Sequence, residues 1–228
     1  MARLNVLLLG SDSFSVYIAN TLSKFSHVIS SVTITTLTPE CTLAKSVAAA
    51  TNPDTQQGQP PSPSPTTCSS LSNRTPSICP VEISPDVPIR TIEWQQVKRG
   101  EGSIDVLIAA SFGAKIPSSA IRRLTSQIEC KKVGESETRP IRAINLHGSW
   151  LPFASGPAPL HAQLQGGSEW LGVTVHEVSP KLDRGRVLAR AGVPVEPADA
   201  AGLGTMQAAA ARLTNTMLPR VLSLIQSS

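Results

Sequence analysis

The chain has 228 residues, 40% hydrophobic and 16% charged, with a formal net charge of +4. That is enough apolar material for one substantial domain and too little length for two. No apolar run approaches the ~18 residues that cross a bilayer. The four cysteines make no C-x-x-C pair and no zinc-like spacing with histidine, so a reducing compartment is expected. The mild basic excess fits an RNA partner and ordinary surface charge equally.

Met1-Ala2-Arg3 leads straight into Leu4–Gly10, with no presequence visible. That run is continuously apolar and ends in glycine, as expected of a parallel strand buried on both faces. Ser11 or Ser13 can cap a helix over about 14–25, with Phe14, Ile18, Leu22 and Phe25 on one face. Val28–Thr36 is β-branched and reads as a second strand. The β-α-β order predicts an α/β fold with a doubly wound, mostly parallel sheet. Gly10-Ser11-Asp12-Ser13 lacks the G-x-G-x-x-G fingerprint, so no dinucleotide site is inferred.

Thr51–Pro80 is crowded with Pro, Ser, Thr and Gln. It cannot bury enough surface to offset its ordering entropy, and reads as a disordered insertion in one domain spanning 1–226. Asp105–Ser111 is another buried strand, followed by a turn, Phe112–Pro117, and a helix from Pro117 or Ser118 to about Leu124. Glu129–Arg139 is polar and reads as a second, smaller insertion. Pro159–Gln165 is a short helix ending at Gly166-Gly167. Gly172–Val178 alternates as a strand, with His176 expected along a sheet edge and a second catalytic histidine as the minor alternative. Arg186–Val195 pairs with it, and Pro194 marks an edge. Leu203–Leu218 is helical, with a core stripe of Leu203, Met206, Ala210, Leu213 and Met217. Pro219 is expected to start a separate last helix, Arg220–Ile225.

The chemistry is concentrated where the strand through Ala143 and Ile144 ends. Asn145 and His147 are two residues apart, so in extended backbone they project to the same side. Gly148 and Pro152 then stop regular structure and open a Gly/Pro-rich loop. Asp183 follows in a turn-like Leu182-Asp183-Arg184-Gly185. An amide can donate to a developing oxyanion, an imidazole can donate or move a proton, and a carboxylate can orient and charge the imidazole. Together they suit transfer of an acyl-level carbon to an amine. Taken singly, the Asn and His also read as strand-end residues satisfying backbone groups, and the Asp as an ordinary turn.

The run Asn145-x-His147-x-Ser149-x-Leu151-Pro152-x-x-x-Gly156-x-x-Pro159, then Gly172-Val173-Thr174-Val175-His176 and Leu182-Asp183-x-Gly185, resembles the folate-dependent formyltransferases. Leu4–Phe14 and Asp105–Pro117 support it in the family's order, so the resemblance covers roughly 1–38 and 86–226. It implies a Rossmann-like catalytic domain that moves a formyl group from 10-formyltetrahydrofolate to a primary amine without a metal. The branch it resembles most formylates initiator methionyl-tRNA for translation initiation.

By resemblance, Asn145 and His147 donate to the oxyanion, while Asp183 sustains His147 and helps relay the proton. The folate would be held by Ala109, Ala110, Ser111, Phe112 and Gly113, whose backbone reads the pterin, and by the loop residues Ser149, Leu151 and Pro152. Ser149 would orient that loop; Gly156 and Pro157 would shape it. Implied partners are initiator methionyl-tRNA and the folate, with a monomer expected and no membrane. A eukaryotic source would imply mitochondria, and otherwise the cytoplasm. Three features depart from the family. Its loop arginines are replaced by Phe153-Ala154-Ser155, and only Lys45 and Arg74 are basic between Pro39 and Ile89, where the family has a basic tRNA-contacting loop. The C-terminal β-barrel of the tRNA-formylating branch is not expected before Ser228. Glycinamide ribonucleotide or an amino-sugar as acceptor, or a non-catalytic folate-binding relative, remain alternative readings.

Overall fold

In the computed structural model, which describes residues 3–38, 40–51, 86–99, 104–125 and 143–227, the sheet grows outward from its most apolar strand. That strand, β1 (Leu4–Gly10), is paired in parallel with β2 (Ile29–Thr35) on one side and β4 (Val106–Ala110) on the other. β3 (Ile89–Thr91) continues the sheet past β2, and β5 (Ala143–His147) past β4, again in parallel. β6 (Trp170–Glu177) and β7 (Val187–Pro194) then add antiparallel, giving the order β3-β2-β1-β4-β5-β6-β7. This is the doubly wound, mostly parallel α/β sheet expected from the sequence, with β7 at the edge where Pro194 costs no ladder bond.

Both faces of the sheet are covered, as parallel strands require. Leu4, Val6 and Leu8 alternate into a large core with α1 (Ser13–Leu22), α2 (Thr42–Thr51), α5 (Pro159–Gln165) and α6 (Leu203–Ser227). Leu7 and Leu9 point the other way, into a smaller core with α3 (Trp94–Arg99) and α4 (Ser118–Thr125). The elements α2, β3 and α3 were not anticipated from the sequence. The two proposed insertions, apart from Thr51 at the end of α2, lie outside the described residues.

Two helix assignments are corrected. Asp12, not Ser11 or Ser13, caps α1: its carboxylate accepts from the Ser15 amide at 3.2 Å, and the Ser15 hydroxyl accepts from the Asp12 amide at 3.0 Å. Ser11 is already committed, its hydroxyl donating to the Ser111 carbonyl. At the other end of the chain, Pro219 lies inside one continuous helix of 25 residues instead of starting a new one. Met217, Leu218, Val221, Leu222 and Ile225 are buried on both sides of it. At about 1.5–3 kcal/mol per buried side chain, they outweigh the about 3 kcal/mol cost of an interior proline. The stripe also starts one turn later than expected, because Leu203 is exposed and Met206 is the first buried member.

The crossovers part at β1, one leading to β2 and the later one to β4. Such a switch point leaves a crevice beyond the carboxyl ends of the two strands. Everything depends on β1 staying in place, and Leu8 within it is fully buried. Leu8→Ala is expected to lower stability by about 2–5 kcal/mol through lost transfer energy and a cavity, read as a drop in the denaturant midpoint at unchanged slope.

Candidate active site

The crevice is a cavity of about 540 Å³. Ser11 and Asp12 line it after β1, Ser111–Ile116 after β4, and Asn145 and His147 at the end of β5; the segment from Gly156 to His161 and the turn at Asp183 complete the wall. The size suits a drug-sized organic ligand.

β5 presents Asn145 and His147 on one face, as their spacing requires, and the antiparallel register sets His176 of β6 opposite Asn145 and Thr174 opposite His147. His176 therefore does not run along a sheet edge. β7 continues the sheet beyond β6, and His176 is only 2% exposed, with its Nε2 3.1 Å from Asn145 Nδ2. The opposite ring nitrogen, Nδ1, lies 2.8 Å from the Glu177 carbonyl. Burial holds the His176 pKa below the ordinary imidazole range; the Glu177 carbonyl and the Asp183 carboxylate oppose that shift, and His147 adds to it.

The loop after β5 is tied down by hydrogen bonds from both directions. Thr174 donates to the Ser149 carbonyl at 2.7 Å and accepts from the Leu151 amide at 3.0 Å. Ser149 Oγ donates to the Phe153 carbonyl at 2.6 Å and reaches the Ala154 carbonyl at 3.2 Å. Two glycines permit the close packing behind it. A side chain at Gly148 would meet Leu160 at 2.7 Å, and one at Gly172 would meet Trp150 at 2.6 Å.

Asp183, with a side chain only 3% exposed, closes the site. Its Oδ2 accepts from the Gly156 amide at 2.8 Å, so its shortest hydrogen bond is to the loop. Oδ1 lies 3.6 Å from His147 Nδ1 and 3.8 Å from His176 Nε2, in ion-pair range and beyond an ordinary hydrogen bond. His147 Nε2 faces the Ala154 carbonyl at 3.2 Å. Both His147 nitrogens thus face acceptors, and the ring can donate from either side. Ser111, Ala154 and Asp183 are the non-glycine residues with positive φ (52°, 46° and 53°) among the described residues. All three belong to the cavity wall or to the loop behind it, at about 1–3 kcal/mol of strain each.

Asn145, His147 and Asp183, proposed from the sequence, therefore converge. Of the proposed folate-contacting residues, Ala109, Ser111, Phe112 and Gly113 line the cavity. Ala110 turns into the large core, Ser149 and Leu151 are buried behind the loop, and Pro152 is exposed on its outside. Two further residues of the site, Asp12 and Gln207, do not stand out in the sequence, and His176 does so only as the minor alternative of a second catalytic histidine. Gln207, from α6, donates to Asp12 Oδ2 at 2.6 Å. Burial raises the Asp12 pKa above the ordinary carboxylate value, against hydrogen bonds from Ser15, Ser111, Phe14 and Gln207. Its place in the cavity depends on α6, far away in sequence. Among the described residues no group of three or more His, Cys, Asp or Glu is arranged to hold a metal ion.

The Asp183 field can be isolated. Asparagine tolerates positive φ and can keep the Gly156 bond through its oxygen. Asp183→Asn should leave the fold intact and make His176 titrate at still lower pH, because the attraction that favours its charged form is gone. An imidazole ¹⁵N NMR titration measures this directly.

Comparison with known proteins agrees with the motif. Residues 136–222 match the formyl transferase family model. The chain is 32% identical over 120 residues to methionyl-tRNA formyltransferase of Geobacillus thermodenitrificans, covering 52% of this chain and 33% of that protein. It is 30% identical over 121 residues to the Staphylococcus epidermidis enzyme of the same name, covering 53% and 34%. The chain thus spans about a third of the length of these curated relatives. Two solved structures share the fold. Phosphoribosylglycinamide formyltransferase from Bacillus halodurans superposes with a TM-score of 0.56 at 18% identity over 96% of this chain and 95% of that one. A formyltetrahydrofolate deformylase from Pseudomonas syringae pv. tomato superposes with a TM-score of 0.57 at 18% identity over 96% and 60%. The stretch that matches the formyl transferase family model, residues 136–222, carries the Asn-x-His-x-Ser-x-Leu-Pro motif and contributes Asn145, His147 and Asp183 to the cavity wall.

Proposed function

We propose that this chain carries out folate-dependent formyl transfer, moving the formyl group of 10-formyltetrahydrofolate to the amino group of methionyl-tRNA. The observation that carries the reading is the convergence of Asn145, His147 and Asp183 on one cavity, within the stretch that matches the formyl transferase family model. Support for the acceptor comes from the names of relatives about 30% identical over half the chain. In a eukaryotic source this activity would belong in mitochondria, and in a bacterial one in the cytoplasm.

The amine nitrogen attacks the formyl carbon, a carbon–nitrogen bond forms and the carbonyl electrons move onto oxygen. Asn145 and His147 would donate hydrogen bonds to that oxyanion. When the oxyanion collapses, the bond from the formyl carbon to the folate nitrogen breaks, and the proton lost by the attacking amine ends on the leaving nitrogen. His147, between the Ala154 carbonyl and Asp183, is set to help that proton across. Asp183 fixes the turn and gives the imidazole a counter-charge. The donor's ring would lie along Ala109, Ser111, Phe112 and Gly113 in the same cavity.

Formyl transfer to methionyl-tRNA by the purified chain is the test. Asn145→Ala and His147→Ala should each lower turnover by about 10²–10³-fold while folate binding, followed by calorimetry, persists. Near-normal turnover in Asn145→Ala would remove the oxyanion role. Transfer to a different amine, with methionyl-tRNA inert, would replace the acceptor and keep the chemistry.

A further inference from the structure

His176 is buried among the reacting groups, yet the transfer steps above give it no task. Its contacts determine its tautomer. The Glu177 carbonyl, 2.8 Å from Nδ1, can only accept, so Nδ1 carries a proton. In the neutral ring Nε2 is then a bare acceptor, and the group facing it at 3.1 Å must be a donor, the Asn145 amide nitrogen. The two ends of a side-chain amide have nearly the same shape, so packing alone does not choose between them. The imidazole makes the choice here. One N–H of Asn145 Nδ2 is spent on His176, and the second is the one this amide can offer to a substrate in the cavity that Asn145 lines.

We infer that neutral His176 is a positioning residue that sets the orientation of the Asn145 amide, and that protonating it reverses the amide and withdraws the oxyanion donor. The inference rests on the formyl-transfer reading of Asn145. A protonated ring would present an N–H at Nε2. That is a donor facing a donor, which is relieved when the amide turns its oxygen to the ring. The amide then presents oxygen where it had presented nitrogen, and an oxygen lone pair repels a developing oxyanion instead of stabilising it. Transfer is therefore supported above the His176 pKa and lost as pH falls through it.

Of the groups facing His176, Asp183 favours the charged ring and His147 the neutral one. Asp183 Oδ1 stands 3.8 Å from Nε2, the His147 ring centre is 6.3 Å away and steeply inclined, and Asn145 lies across the ladder. The Glu177 carboxylate is engaged by Arg186, at 2.9 Å, and only its main-chain carbonyl meets the ring. Gly185 closes over this contact: a Cβ there would lie 1.7 Å from the Glu177 carbonyl oxygen and 3.3 Å from His176 Nδ1. Burial favours the neutral ring although one carboxylate is nearby.

The test has a structural arm and a kinetic arm on the full chain. Long-range ¹H–¹⁵N NMR should find His176 in the Nδ1–H tautomer at neutral pH, with the Asn145 side-chain amide signals shifting at the His176 titration midpoint. Kinetically, the acid limb of the pH–rate profile should share that midpoint. His176→Leu should lose rate toward the about 10²–10³-fold deficit of Asn145→Ala. His176→Gln, whose oxygen accepts without titrating, should recover much of that loss and lack the limb. An Nε2–H tautomer, or Asn145 signals indifferent to the His176 midpoint, would overturn the inference. So would a leucine variant as fast as the parent, or a glutamine variant that kept the acid limb. A chain that transfers no formyl group would defeat the functional reading, while the NMR arm would still decide the His176–Asn145 coupling.

Discussion

The antiparallel pairing of β5 with β6 is the constraint on which the site depends. Asn145 sits opposite His176 and His147 opposite Thr174, and each pair does a separate job. The first aligns a buried imidazole with an amide. The second puts a hydroxyl under the loop, where it holds the Ser149 carbonyl and the Leu151 amide together. A one-residue slip of β6 would turn His176 and Thr174 to the other face of the sheet. Val173 and Val175, which alternate with them, are fully buried in the large core and oppose any such slip. Apolar burial on one face thus fixes polar geometry on the other.

Strain and clamping complement each other around the cavity. Ser111, Ala154 and Asp183 each hold a backbone conformation that residues with a side chain rarely adopt. Each strained residue is also tied by a hydrogen bond to another segment: Ser111 to Ser11, Ala154 to His147, and Asp183 to Gly156. The last ties the Asp183 turn directly to the loop, and His147 lies between Ala154 of that loop and Asp183. Displacing either segment would therefore disturb the imidazole environment, and that explains why a carboxylate can matter to His147 without a short hydrogen bond to it.

Burial does different things to the site's titratable groups. It disfavours charge on Asp12 and on His176, raising the first pKa and lowering the second. Asp12 is compensated by an amide from α1 and another from α6, so a helix cap also becomes part of the cavity wall. His176 is compensated through the tautomer that lets it donate to one neighbour and accept from another.

Local order and composition by themselves determined much of this protein. The apolar run Leu4–Gly10, the alternation through Gly172–Val178 and the β-α-β order specified a doubly wound, mostly parallel sheet, because burial on one or both faces leaves a period that can be read directly. The two-residue spacing of Asn145 and His147 determined that they share a face, and the surrounding motif marked Asp183 as their partner. What the chain order could not carry was register and distance. Pro219 read as a helix start because its cost is local, while the burial that overrides it comes from the sheet beneath. His176 read as an edge residue although Arg186–Val195 was expected to pair beyond it, because nothing in Gly172–Val178 announces that its partner across the other ladder is Asn145. Asp12 read as a bystander to the capping serines until α6 brought Gln207 against it. Those assignments rest on contacts between segments as many as 195 residues apart, and only the folded chain decides them.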